Sequence, residues 1–131
     1  MTHQHTRQFF LSIVLLLITT AVCSDVPPEQ AAEVEHLINY LADSDCRMVR
    51  NGKSHSAKDG AKHMQRKYKY FRDEISSTEE FIEHSATKST MSGQNYEVLC
   101  VDQELELSRD WLLRELQVYR SRQAKAAPTV P

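Results

Sequence analysis

Glycine occurs only three times in the 131 residues and proline four times. Three glycines cannot build a loop of backbone donors around a nucleotide phosphate, which excludes that class of site. Paired metal-ligand spacings are also missing. Cys23, Cys46 and Cys100 are far apart, and His36, His55, His63 and His84 are dispersed, so neither a metal site nor another cofactor is expected. Long apolar runs are nearly absent. The single one, residues 9–22, falls short of the ~20 residues that cross a bilayer as a helix, so no membrane span is expected. No internal repeat occurs.

That one run nevertheless carries information. Arg7 and two histidines precede it, and the small-residue stretch Ala21-Val22-Cys23-Ser24 follows before the first acid at Asp25. This is the layout of a secretory signal peptide over residues 1–24, which makes the expected protein periplasmic or secreted. A lipoprotein modified at Cys23 is the alternative, disfavoured by bulky Val22 where such signals use Gly or Ala. With Cys23 removed, Cys46 and Cys100 remain as an even pair, read as one disulfide in an oxidising compartment. Closing a loop of about 55 residues restricts the unfolded chain by roughly 4 kcal/mol.

The net charge of −2 hides segregation. Residues 25–45 hold six acids and no Lys or Arg; residues 47–72 hold nine Lys or Arg against Asp59 alone; residues 73–115 hold eleven acids against Lys88, Arg109 and Arg114. Such blocks either cancel between neighbouring elements or steer a charged partner. The basic block lacks a nucleic-acid-binding motif, and no nucleic acid partner is expected.

Periodicity orders the elements. After Pro27-Pro28, apolar Ala31, Val34, Ile38 and Leu41 predict a helix over about 28–43. Residues 46–50 alternate as a strand with Cys46 and Met48 on one face, Asn51-Gly52 supplies a two-residue hairpin turn, and 53–56 return, pairing Met48 with His55 and Arg50 with Lys53. Ala57, Ala61, Met64, Tyr68, Phe71 and Ile75 form the seam of a second helix, with Lys58, Lys62, Arg66, Lys69 and Arg72 on its open side. Gly60 within it implies a close packing contact or a loose first turn. Ser77 and Glu80 form a capping box opening a short helix to about Thr87. Residues 88–95 read as a loop and 96–101 as a strand with Tyr96, Val98 and Cys100 on one side. A last helix opens at Ser108 and turns Trp111, Leu112, Leu116 and Tyr119 inward. The expectation is a helix-rich α+β single domain over 25–122, order α-ββ-α-α-β-α, its small antiparallel sheet pinned by one disulfide. Residues 123–131 are expected to be a disordered tail.

The blocks Cys46-x-Met48-x-Arg50-Asn51-Gly52, His63-Met64-x-x-Lys67-Tyr68, Glu80-Phe81-Ile82 and Ser89-x-x-Ser92-Gly93-x-x-Tyr96 resemble successive blocks of the YfeK-like exported proteins, a domain of unknown function. The resemblance covers about residues 38–111. It implies a small secreted domain and no assigned chemistry.

His63 and Lys67 lie four apart and flank the buried seam. His63 reads either as a structural histidine or as part of an anion site with Lys67, Arg50 and the adjoining Asn51 turn, closed by backbone donors of Ser92 and Gly93. Such a site suits a carboxylate or phosphate. A hydrolase would need one of Ser54, Ser56 or Ser92 activated by a histidine. The expected function is a non-enzymatic, monomeric binding module of the cell envelope that presents its basic helix face and the Arg50-Asn51-Gly52 turn to an acidic envelope protein or polymer. A small hydrolase or metal-binding protein using His63 is the alternative.

Overall fold

The computed structural model describes residues 25–128; the expected signal peptide, with Cys23, lies outside the described residues. Pro28, whose fixed φ suits a first helical position, opens helix α1 (Pro28–Ala42). Its inward stripe is Val34, Leu37, Ile38 and Leu41. Ala31 is exposed, and Leu37 is fully buried in its stead, because the contact begins a turn later than the sequence spacing suggests.

Strands β1 (Arg47–Arg50) and β2 (Lys53–Ser56) form the expected hairpin. Asn51 and Gly52 both take positive φ, 49° and 72°, which matches the strand twist. Met48 pairs with His55 and Arg50 with Lys53. Ser56 caps helix α2 (Ala57–Phe71), accepting from the Asp59 N–H at 3.1 Å. A Cβ on Gly60 would lie 3.0 Å from Met48 Cβ and 3.2 Å from Leu41 Cδ2, so the glycine lets α2 settle against both the hairpin and α1. The helix stops at Phe71; a 3-10 turn (Arg72–Glu74) follows, and Ile75 enters the core from extended backbone.

Ser77 caps helix α3 (Thr78–Ala86) through the Glu80 N–H. The Glu80 carboxylate accepts from Ser76 N–H and Oγ, both 2.7 Å, where the capping box predicts Ser77 N–H. Strand β3 (Glu97–Leu99) is shorter than expected, with Tyr96, Val98 and Cys100 buried on one side as expected. A strand absent from the sequence reading, β4 (Glu106–Leu107), pairs with β3. Helix α4 (Ser108–Ala126) buries Trp111, Leu112 and Leu116, and Tyr119 is half-buried. It extends past Arg122, so residues 123–126 are helical where a disordered tail was expected, and 129–131 lie outside the described residues.

The antiparallel sheet has the order β2-β1-β3-β4. Arg47 pairs with Leu99, so Cys46 and Cys100 lie opposite each other one position beyond, and a disulfide joins them. Met48, Met64, Phe81, Ile82, Leu112 and Leu116 form the centre of the core between sheet and helices. The expected α+β order holds, with one short strand added. Among the described residues no helix is long and apolar enough to cross a membrane.

Candidate functional site

Strand alternation puts Arg50 on the same side of β1 as buried Met48, the side that α2 covers. One residue before β3, Tyr96 is 3 % exposed, and its phenol meets the His63 ring of α2, with Nε2 3.0 Å from the hydroxyl and the rings edge to face. The Arg50 guanidinium and the Ser89 hydroxyl also lie against this phenol. Lys67, one turn beyond His63, donates to the Lys88 carbonyl at 2.7 Å. Its ammonium stands 5.2 Å from the Tyr96 ring centre and 5.8 Å from that of Phe71, within cation–π range.

Electrostatics follows from this crowding. Burial and then the neighbouring Arg50, Lys67 and Arg66 charges lower the His63 pKa to about 4. His63 is therefore a neutral imidazole near neutral pH and supplies hydrogen-bonding capacity but no positive charge to an anion. Burial, Arg50 and Lys88 also lower the Lys67 pKa. The Arg50 Nε is buried without a hydrogen-bond partner.

The turn and loop residues have a different role from the one expected. Asn51 Oδ1 accepts from Ser92 Oγ at 2.6 Å, which ties the hairpin turn to the loop at 88–95. The Ser92 N–H donates to Ser89 Oγ and the Gly93 N–H to the Ser89 carbonyl. Both backbone donors expected to close an anion site are thus engaged inside their own loop, whose turn at Gly93 needs a φ of 71°. Arg50, His63 and Lys67 do converge, around Tyr96. Sequence reasoning placed Tyr96 on the inner face of its strand and missed its part here, since only the chain's return beside α2 sets the phenol against His63.

Two depressions open beside this cluster. A cleft of about 250 Å³ is lined by His63, Arg66, Lys67, Tyr70, Phe71 and Thr90. A groove of about 460 Å³ continues from Lys67 and Phe71 past Lys88, Ser89 and Thr90 toward Glu83. The candidate serines do not pair with His63: Ser54 Oγ accepts from Arg47, Ser56 caps α2, and Ser92 Oγ donates to Asn51. Elsewhere, Asp45, Cys46 and Cys100 cluster beside a third cavity, but the two sulfurs are bonded to each other and offer no thiolate.

The charge blocks do not cancel where they are densest. On α1, Glu33 pairs with Arg120 of α4, which also meets Glu79 of α3, and His36 meets Glu115 of α4 at 2.7 Å. Arg114 pairs with Glu106. Of the nine Lys and Arg at 47–72, Arg72 alone has an ion pair among the described residues, with Asp25. Lys58, Lys62, Arg66 and Lys69 are exposed along α2.

Residues 28–120 match the model of DUF5329, a family of unknown function. The chain is similar to the uncharacterized protein YfeK of Salmonella typhimurium, 29% identical over 91 residues that make up 69% of this chain and 76% of that protein. No solved structure matches.

Proposed function

Because the chain belongs to the DUF5329 family, whose function is unknown, we propose its role from its own surface: a non-enzymatic binding module of the cell envelope that takes an acidic partner on the α2 face and the adjoining hairpin. One observation carries this reading. Eight of the nine cations of the central block, all but Arg72, have no carboxylate partner among the described residues, although acids are plentiful elsewhere in the fold. Arg50 stands opposite Lys53, a like-charged pair that is destabilising unless an anion lies near. A half-buried guanidinium is ordinarily paired, since desolvation penalises a lone charge. An anionic partner would relieve both costs.

Export is part of the proposal. The signal-like layout at 1–24 and the Cys46–Cys100 disulfide support it, because such bonds persist outside the reducing cytosol.

The test is equilibrium binding of the oxidised exported chain to polyglutamate as an acidic polymer. Reversing Lys58, Lys62, Arg66 and Lys69 to Glu should weaken binding more than tenfold at low salt, and raising the salt should weaken the wild type. Undiminished binding by the reversed variant, or no binding by the wild type, would remove the reading.

A further inference from the structure

The 250 Å³ cleft beside His63 combines features that a purely charged surface does not need. Tyr70 is 80 % exposed, with its ring edge to face with Phe71 at 4.8 Å between centres. Among the described residues its outer side is left open. An exposed tyrosine offers a flat apolar platform with a polar tip, here on the last turns of α2. Arg66 and Lys67 line the same cleft, together with Thr90 and His63. Arg66 has no ion pair among the described residues and is exposed. Lys67, which lines the cleft, is held in place by its bond to the Lys88 carbonyl at 2.7 Å.

The geometry points to an acidic sugar as the group this cleft takes: the carboxylate meets Arg66 and Lys67, the apolar face of the ring lies on Tyr70, and the ring hydroxyls reach Thr90 and His63. This rests on the acidic-partner reading and names the chemistry of that partner as an anionic glycan. Each part of the site answers one part of such a residue. A guanidinium beside an ammonium matches a carboxylate in charge and in donor geometry. The platform matches the C–H face of a pyranose. The volume is below the ~300–1,000 Å³ of drug-sized ligand sites, and suits a single ring better than a base joined to its sugar and phosphate. Cations with an aromatic platform also serve single-stranded nucleic acid, and the test separates that case.

The oxidised exported chain would be titrated by calorimetry with trigalacturonate, its neutral galactose counterpart, polyglutamate and a short single-stranded oligonucleotide. Trigalacturonate should bind and the neutral trimer should not. Tyr70→Ala should weaken trigalacturonate about fivefold while leaving polyglutamate unchanged, and Arg66→Gln should weaken both. Because Tyr70 is exposed, its replacement should leave the thermal midpoint in place, which a melting curve verifies. If polyglutamate binds but Tyr70→Ala does not affect trigalacturonate, or if the oligonucleotide binds more tightly with the same Tyr70 dependence, the sugar assignment fails while the acidic-partner reading stands. If neither acidic ligand binds, both fail.

Discussion

His63 shows how burial changes the meaning of a residue type. The sequence places a histidine beside basic residues, and a histidine there could carry charge to an anion. Packed under Tyr96 with Arg50 and Lys67 nearby, it is held neutral, its pKa lowered to about 4 from 6.5. The unfolded chain therefore takes up a proton that the folded one refuses, so stability is fully present above about pH 6.5 and is lost as pH falls toward 4. His63→Gln should flatten that part of a stability–pH curve measured by urea unfolding. Part of the acid sensitivity should persist through His55, whose pKa burial and Arg50 also lower, and a further part should lie lower, where Glu33 and Glu79 titrate, since their hydrogen bonds to Arg120 lower both pKa values. Gly60 gives a second residue-scale prediction. Alanine is the better helix former by about 1 kcal/mol, but its Cβ would press on Met48 Cβ at 3.0 Å. Met48 is fully buried and its Cβ is fixed to the strand backbone, so Gly60→Ala should cost a net ~1–2 kcal/mol, read as a lower thermal midpoint.

Among the elements, the hairpin was the most legible. A two-residue Asn-Gly turn sets a register, and the pairs Met48–His55 and Arg50–Lys53 form as that register requires. Gly52→Ala should destabilise the protein by about 1 kcal/mol through backbone conformation alone, because φ is 72° and nothing lies within 4 Å of an added Cβ. The same substitution should leave the hairpin register intact, which backbone amide shifts would report. Element ends were less legible. α2 gives way to a 3-10 turn before Ile75, and α4 runs on to Ala126, since apolar periodicity reports which face is buried and says little about where hydrogen bonding stops. Strand β4 escaped notice because two residues cannot display a period; the alternation of Leu105, just before it, with Leu107 was the available signal.

For the molecule as a whole, the disulfide closes the end of the β1–β3 ladder and spans 54 residues. Replacing Cys46 and Cys100 by Ser should lower stability by roughly 4 kcal/mol on the chain-entropy account. A denaturation midpoint that did not move on replacement would show that the core alone sustains the fold. The distribution of charge belongs to this scale too. The chain order alone leaves open whether the acidic and basic blocks neutralise each other. In the fold α1 packs directly on α2, yet Glu33 and His36 of α1 meet residues of α4, and Lys58, Lys62, Arg66 and Lys69 of α2 face outward. Helix periods, the Asn51-Gly52 turn and the pairing of the only two cysteines beyond the leader-like segment were determined by the sequence itself, because each depends on neighbours a few residues apart or on there being no other choice. The meeting of Arg50, His63, Lys67 and Tyr96, the engagement of the Ser92 and Gly93 donors and the unpaired basic face were decided only by tertiary structure. These depend on which surfaces touch and on how far each group is removed from water.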